Sequence, residues 1–204
     1  MRWTHENALR RDGCGLIAGV DEVGRGSLAG PVVAAAVILD RGCRLRGVKD
    51  SKLLTEERRR GLFGHIVLSA VAYGFGVAEA EVVDEINVFQ ATLVAMRDAV
   101  AALPTVPDAL LIDAVRLPAV PLRQLSLIHG DARSPSIAAA SILAKVFRDE
   151  MMRAFDDQFP AYRFHRNKGY GTEEHRRTLG DIGPSPLHRR TFSWTQPCLL
   201  EGED

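Results

Sequence analysis

The fold is decided by residues 19–39, GVDEVGRGSLAGPVVAAAVIL, in which two apolar segments flank a glycine-rich one. Residues 16–21 form a short apolar run that ends in an acid, and this pattern predicts a β-strand. Residues 31–39 are apolar and include β-branched side chains, which is typical of a buried strand. The two segments therefore predict a β-hairpin whose wide turn is the glycine-rich segment 24–30.

Outward from this hairpin, strand-like and helix-like segments alternate along the chain. Further strands are predicted at residues 72–80, 109–115 and 125–129. Helices are predicted from the N-cap Thr55 to about residue 69, over 81–102 in two pieces, over 136–155, and briefly after the cap Thr172. This order predicts one α/β domain, a mixed sheet with helices packed on its faces.

Composition narrows the class of protein. The 204 residues, 46% of them hydrophobic, suffice for one well-buried core, and the 25% of charged residues is an ordinary globular share. No apolar run reaches the ~18 residues of a membrane span, and residues 1–12 contain no apolar signal core. Three cysteines without paired spacing argue against a disulfide scaffold and against a cysteine-built zinc site. We therefore expect a cytoplasmic protein.

The charge balance bears on nucleic-acid binding. Lys and Arg together number 26, as do Asp and Glu, so the chain lacks the global basicity that typifies nucleic-acid-binding proteins. Any phosphate-binding surface must therefore be local. Residues 161–190 carry an excess of basic side chains, which form either such a surface or a solvated charged tail. Charge alone favours the tail.

Four acids share one position relative to the predicted strands. Each lies at or just past the carboxyl end of an apolar segment: Asp21, Glu22, Asp113 and Asp131. Strand ends can converge at one edge of a sheet, and carboxylates gathered there repel one another unless protons or cations neutralise them. A single acid at a strand end is more often a turn former or a helix cap, but four in the same position weaken that alternative.

An all-carboxylate set indicates a particular kind of metal. Mg²⁺ and Mn²⁺ prefer oxygen ligands, and such a set suits them better than it suits zinc. Two of these ions about 4 Å apart can activate a water molecule and stabilise the leaving oxygen of a phosphodiester. The acids therefore predict a divalent-metal-dependent hydrolase.

The glycine-rich segment allows three interpretations. Gly24, Gly26 and Gly30 resemble a dinucleotide-binding fingerprint, but that motif requires a helix directly afterwards, and here Pro31 and a strand-like run follow. A plain hairpin turn is the second interpretation. In the third, which we favour, glycines on either side of Arg25 let the backbone approach a bound molecule while the arginine binds phosphate.

Five blocks of the sequence resemble the ribonuclease HII family. They are residues 19–39, KDSKLL at 49–54, GDARSPSIAAASILAKVFRD at 130–149, NKGYGTEEH at 167–175 and GPSPLHRRTF at 183–192. The resemblance implies an RNase H-like fold, a five-stranded mixed sheet flanked by helices, with a C-terminal helical region. It also implies one catalytic domain over residues 1–204, of which about 160–204 form a substrate-binding extension.

The family's activity follows as an expectation. The resemblance implies an endonuclease that hydrolyses the RNA strand of RNA–DNA hybrids and incises duplex DNA 5′ to embedded ribonucleotides, leaving 5′-phosphate and 3′-hydroxyl ends. It implies two Mg²⁺ or Mn²⁺ ions, held by Asp21, Glu22, Asp113 and Asp131, with Asp21 bridging both. We expect a monomer whose partners are RNA–DNA hybrid and ribonucleotide-containing duplex DNA, with no membrane.

The resemblance assigns substrate recognition to two short loops. The backbone of Gly24, Arg25 and Gly26 resembles the family's loop that contacts the ribonucleotide 2′-hydroxyl, which is the group that separates RNA from DNA at a site. Tyr170 resembles the tyrosine that senses the step from RNA to DNA. Without the resemblance, a packing aromatic is the preferred interpretation of Tyr170.

Three more elements are candidates for substrate contact. A polar loop with Lys49, Ser51 and Lys52 touches phosphates or is merely solvated, and the resemblance favours contact. Ser134 either binds phosphate at a helix N-terminus, where free amides attract anions, or is an ordinary cap. Lys145 lies on an otherwise apolar helix and is expected near the acids, donating to one of them.

The sequence departs from the family's pattern at three positions. Ser27 stands where proline is usual, Ala114 where glycine is common, and Asn167 where histidine is frequent. The first two leave the carboxylates intact, whereas the third puts any role of that position in doubt. Asp149 is expected on a helix surface, with a supporting role near the site as the alternative.

Two other functions stay open on the sequence alone. One is a nucleic-acid-binding module of the same fold that has lost catalysis, against which the intact acids at all four positions argue. The other is a carboxylate-metal phosphatase that acts on small substrates and is indifferent to duplex. That function leaves Gly24, Gly26 and Tyr170 without a role.

Overall fold

The predicted hairpin forms and sets the architecture. In a computed structural model, which describes residues 2–43 and 54–194, β1 (Ile17–Val23) and β2 (Val32–Leu39) pair antiparallel. β1 continues past the acid at which the apolar run ends, because pairing with β2 extends to its last residue.

Three further strands complete a five-stranded mixed sheet: β3 (Ala70–Ala78), β4 (Ala109–Asp113) and β5 (Arg123–Leu127). The order across the sheet is β3-β2-β1-β4-β5. The first three strands pair antiparallel, whereas β4 joins β1 in parallel and β5 joins β4 in parallel. The carboxyl ends of β1, β4 and β5 therefore lie at one end of the sheet, and the predicted fold class is confirmed.

Helices cover the sheet and build the C-terminal region. Those of the described residues are α1 (Thr4–Arg11), α2 (Glu56–Ser69), α3 (Ala80–Ala101), α4 (Gly130–Arg133), α5 (Pro135–Gln158), α6 (Phe164–Asn167) and α7 (Glu173–Ile182), with a 3-10 turn at Pro160–Tyr162. Thr55 and Thr172 accept amide hydrogen bonds from Arg58 and His175, which confirms both N-caps. Within the described ranges, no helix is long and apolar enough to cross a membrane.

The predicted division of α3 into two pieces is confirmed at Asn87. This residue leaves the helical region, with φ 66° and ψ 162°. Its side-chain Oδ1 accepts hydrogen bonds from the amides of Phe89 and Gln90 at 3.0 and 3.1 Å. Asn87 therefore ends the first piece of the helix and caps the N-terminus of the second.

Both faces of the sheet are buried, which explains the uninterrupted apolar run of β2. Val33, Ala35 and Val37 pack on the α5 side, whereas Ala34 and Ala36 pack on the α3 side. The alternation follows from the two-residue period of a strand. The small alanine side chains let both helices lie close to the strands.

At Gly19, β1 meets the start of α5 in backbone contact. A Cβ added there would lie 2.1 Å from the carbonyl carbon of Ser136, closer than two such atoms can approach. The glycine therefore sets the spacing between this strand and the helix above it.

A chain of hydrogen bonds stabilises the C-terminal region, and each group in it donates to the next in the same direction. The Ser185 amide donates to Nδ1 of His188 at 3.0 Å, and Nε2 of His188 lies 2.9 Å from Nε2 of His175. Nδ1 of His175 lies 2.9 Å from the carbonyl oxygen of Tyr170. Because an amide only donates, His188 carries its proton on Nε2 and donates to His175, which donates through Nδ1 to Tyr170. Both histidines are therefore neutral.

Replacing Gly19 by alanine should destabilise the protein, because the strand and the helix must separate to admit a methyl group. We expect Gly19→Ala to lower the free energy of unfolding by about 3 kcal/mol. Gly61→Ala is the matched control, since a Cβ at Gly61 in α2 meets nothing within 4 Å, and it should raise stability by about 1 kcal/mol. Urea denaturation measures both variants, and equal effects would contradict the packing.

The neutral histidine pair predicts how stability depends on pH. Burial lowers the pKa of His188 from 6.5 to about 4, so the folded chain resists a proton that the unfolded chain accepts. This stabilisation is complete above the unfolded pKa and is lost progressively as the pH falls from 6.5 toward 4. His188→Gln should therefore lose less stability over that window than the wild type.

The control for this measurement is His65→Gln, which changes an exposed histidine of α2 and should keep the pH dependence of the wild type. The free energy of unfolding from urea titrations at several pH values gives the comparison. A His188→Gln protein that follows the wild-type curve throughout would show that this pair is not neutral in the folded chain.

Candidate active site

All four predicted acids line one pocket. It has a volume of about 140 Å³ and lies where β1 and β4 end and α4 begins. Its walls are formed by Asp21, Glu22, Val23, Asp113, Asp131, Ser141, Lys145 and Tyr170. Segments that are far apart in the sequence thus contribute to a single site at one end of the sheet.

Asp21 is almost completely buried, with 5% of its surface exposed. Ser141, on the facing helix α5, donates a side-chain hydrogen bond to it. Burial nevertheless raises the pKa of Asp21 well above its ordinary value, and the charges of Glu22 and Asp113 raise it further. The pocket therefore favours a proton or another cation at Asp21.

Glu22 reaches the pocket from the other face of β1. In the sheet register Asp21 lies beside Ala35, on the α5 side, whereas Glu22 lies beside Ala34, on the α3 side. Both side chains nevertheless line the same pocket, since the strand ends there. The adjacent pair therefore approaches the site from two directions rather than forming one simple chelate.

The chain turns where the glycine-rich segment begins, as the sequence predicts. β1 ends at Val23 and the backbone reverses from Gly24, with φ 92°. Arg25 then folds back, and its Nη1 lies 3.3 Å from Oε1 of Glu22. Burial raises the pKa of Glu22, and the Arg25 guanidinium partly offsets that shift.

Asp113 is anchored at the end of β4. Its Oδ1 accepts the amide of Gly130 at 2.6 Å, and its Oδ2 has no hydrogen bond to any described residue. This bond fixes β4 to α4, which carries Asp131 in its first turn. Ala114 follows in the left-handed region, with φ 54°, where glycine would be free of strain.

Lys145 and Asp149 form an ion pair beside the pocket. Lys145 Nζ donates to Asp149 Oδ1 at 2.7 Å and lies 5.4 Å from the centre of the Tyr170 ring. The expected bond from Lys145 to one of the four acids is therefore wrong, since the i,i+4 spacing in α5 gives its ammonium to Asp149 instead. The surface interpretation of Asp149 is also wrong, because only 5% of it is exposed.

The glycine-rich turn presents its tip to solvent. Arg25 and Gly26 are exposed, and a Cβ added to Gly26 would meet nothing within 4 Å. Gly24 is buried, and a Cβ there would lie 2.3 Å from Nε of Arg148. Residues 24–26, called the 24–26 turn below, therefore rest on the protein at one end and are open at the other.

Sequence reasoning missed two buried arginines, Arg148 and Arg189. Both are fully buried, and neither forms a salt bridge with a described carboxylate. They donate to backbone carbonyls, Arg148 to those of Ala29, Pro31 and Lys168, and Arg189 to those of Gly24, Arg25 and Gly30. Burial lowers the pKa of Arg189 to about 10. Arg148 lies in the charged second half of α5, beside Asp149 and Glu150, so nothing in the sequence there distinguishes it from a surface arginine.

Ser134 is a helix cap and is not available to a substrate. It is fully buried, its hydroxyl donates to Oε1 of Glu6 at 2.6 Å, and the amide of Ile137 donates to it at 3.2 Å. The same Glu6 oxygen accepts the Ser136 amide at 3.1 Å. The prediction that Ser134 contacts phosphate is therefore corrected in favour of the cap.

Other expectations find structural explanations or lie outside the description. Asn167 is buried, donates to the carbonyl of Tyr162 and accepts the Gly169 amide, so it shapes the loop before Tyr170. Lys49, Ser51 and Lys52 lie outside the described residues.

The donor set suits a hard divalent cation. The pocket offers four carboxylates and no histidine or cysteine, and the pKa of Asp21 is raised by burial and, in addition, by the charges of Glu22 and Asp113. In residues 2–43 and 54–194, however, no three side chains of His, Cys, Asp and Glu stand close enough together to hold a metal ion as they are. The chemistry of the four carboxylates therefore suits a divalent cation, although in this structure the four side chains are not close enough together to hold one.

Known proteins match almost the whole chain. Residues 18–195 fit the family model described as Ribonuclease HII. Ribonuclease HII of Enterococcus faecalis is 54% identical over 188 residues, which are 92% of this chain and 73% of that protein. Ribonuclease HII of Geobacter metallireducens is 52% identical over 190 residues, which are 93% of this chain and 89% of that protein.

The fold is matched as well. The crystal structure of the ribonuclease H2 from Pyrococcus horikoshii OT3 superposes with a TM-score of 0.71 at 25% identity, over 88% of this chain and 95% of that one. Sequence and fold agree over most of the chain, so the chain belongs to the ribonuclease HII family and is a ribonuclease H endonuclease.

Proposed function

We propose that this chain hydrolyses the RNA strand of RNA–DNA hybrids and incises duplex DNA 5′ to embedded ribonucleotides. The observation that carries the proposal is the pocket, in which Asp21, Glu22, Asp113 and Asp131 meet Tyr170. A phosphate-cleaving centre and a residue suited to reading a sugar thereby lie within reach of one bound strand. The monomeric state and the cytoplasmic location expected from the sequence stay predictions.

Enzymes of the ribonuclease H family depend on metal ions. In this chain, Asp21, Glu22, Asp113 and Asp131 are the proposed ligands, and Mg²⁺ or Mn²⁺ the proposed ions, two during catalysis. When bound, such ions supply the positive charge that polarises a phosphodiester and stabilises its leaving oxygen. The burial of Asp21 and the crowding of its neighbours support this assignment.

The chain's own residues then position the reaction. The Gly130 amide orients Asp113 by donating to its Oδ1, so Oδ2 keeps its capacity to accept a ligand, and Ser141 orients Asp21. Lys145 is proposed to contact a backbone phosphate, since its ammonium lines the pocket beside Tyr170. Arg25, which is exposed next to Glu22, is proposed to bind another phosphate of the same strand.

Recognition of ribose is assigned to the 24–26 turn and to Tyr170. A 2′-hydroxyl both donates and accepts hydrogen bonds, and exposed backbone without side-chain obstruction, as at Gly26, can reach it. The Tyr170 ring can stack on a sugar or base at the neighbouring step. Tyr170 belongs to the region after residue 160, which supports a substrate-binding role for that extension.

Removing one charge from the pocket should stop cleavage without unfolding the chain. Asparagine at position 113 keeps an Oδ1 that accepts the Gly130 amide but loses the carboxylate. We expect Asp113→Asn to lower the cleavage rate with Mg²⁺ by more than about 100-fold, with its melting temperature close to that of the wild type.

The matched control is Asp108→Asn. Asp108 lies at the opposite end of β4, and its Oδ2 accepts the amides of Gly15 and Leu16, both at 2.8 Å. This variant should cleave like the wild type. An Asp113→Asn enzyme that cuts at the wild-type rate would remove Asp113 from the reaction.

The choice of substrate separates the proposal from its rivals. We expect Mn²⁺-dependent incision 5′ to a single ribonucleotide in duplex DNA, and no incision of the same duplex made entirely of DNA. The products should carry 5′-phosphate and 3′-hydroxyl ends, which ligation and end-labelling identify. Binding without cutting would instead indicate an inactive module, and release of phosphate from free nucleotides would indicate a phosphatase.

A further inference from the structure

Arg189 donates hydrogen bonds to the backbone of the 24–26 turn from inside the protein. Its guanidinium donates to the carbonyl oxygens of Gly24 at 2.7 Å, of Arg25 at 2.8 Å and of Gly30 at 2.9 Å. A charge removed from water needs such compensation, so these carbonyl dipoles must point at the arginine. Arg189 therefore dictates how the three peptide groups are oriented.

Because each peptide group is planar, the orientation of these carbonyls also fixes the orientation of the amides on the outer surface. The described peptides are trans, so each carbonyl and the N–H of the next residue point in opposite directions. With the Gly24 and Arg25 carbonyls turned inward, the amides of Arg25 and Gly26 point outward. Neither amide donates to an acceptor within the described residues, and both residues are exposed.

We propose that Arg189 is a positioning residue that presents the Arg25 and Gly26 amides as a preformed pair of donors for a ribose hydroxyl oxygen. The inference rests on the proposed function, since it names what sets ribose recognition at that site. Arg189 itself is fully buried and does not touch the substrate.

The chemistry requires arginine in particular. A guanidinium offers five N–H groups in a rigid fork, which can serve three carbonyls at once, whereas a lysine ammonium is a single point. The Arg189→Lys substitution therefore keeps the charge but loses some of the hydrogen bonds to the three carbonyls. Arg148 donates to carbonyls of residues 29, 31 and 168, so it supports the adjacent backbone and does not replace this contact.

The test measures discrimination in binding rather than activity. In an Asp113→Asn background, which prevents cutting, Kd is measured for two duplexes that differ by one 2′-hydroxyl. The ratio of the two Kd values is the preference for ribose. We expect Arg189→Lys to reduce this preference about tenfold while leaving the Kd for the all-DNA duplex unchanged.

A destabilised control separates positioning from general loss of structure. Leu179→Ala opens a cavity in the same C-terminal cluster without touching the 24–26 turn, and it should keep the ribose preference. An unchanged preference in Arg189→Lys would overturn the inference. A background protein that shows no preference for ribose would instead contradict the proposed function.

A second measurement tests the inference even if the Arg189→Lys protein does not fold. In ¹⁵N-labelled Asp113→Asn protein, the Arg25 and Gly26 amide signals should shift on addition of the ribonucleotide duplex and stay in place with the all-DNA duplex. The Arg189 guanidinium protons should exchange slowly with water. Amide signals that ignore the ribonucleotide, or fast exchange of the guanidinium, would overturn the inference.

Discussion

The structure depends on the crowding of carboxylates at the ends of β1 and β4. Asp21 is buried, its pKa is raised by that burial and by two neighbouring acids, and the two nearest basic side chains each pair with a different carboxylate. Arg25 pairs with Glu22, and Lys145 pairs with Asp149. Protons or added cations must balance the remaining charge, and the proposed divalent ions meet that need.

The segments proposed to recognise the substrate, like the acids, are fixed in place by hydrogen bonds. The Leu28 amide donates to the Gly169 carbonyl at 2.8 Å, and the Arg189 amide donates to the Leu28 carbonyl at 2.9 Å. Buried guanidiniums join the same segments, and the neutral histidine pair holds the carbonyl of Tyr170. The 24–26 turn and Tyr170 are thus parts of one arrangement, which is what discrimination between closely similar strands requires.

Much of this was predictable, because hydrophobic period and strand-end position are local properties. The hairpin, the break in α3 and the gathering of four acids all follow from them. Buried polar contacts were not predictable, because their partners are distant in sequence: Glu6 meets Ser134, and Arg189 meets the 24–26 turn. Asp149 was misjudged because its partner and its burial depend on how α5 packs.

The central claim is that the four acids hold divalent metal in one site. The most direct measurement is a crystal structure of the protein grown with Mn²⁺, with anomalous scattering recorded to locate the metal. The account predicts anomalous peaks within the pocket, in contact with Asp21 and Asp113, and with Glu22 and Asp131 drawn toward them. Crystals of active enzyme in which Mn²⁺ occupies another site and leaves this pocket empty would contradict it.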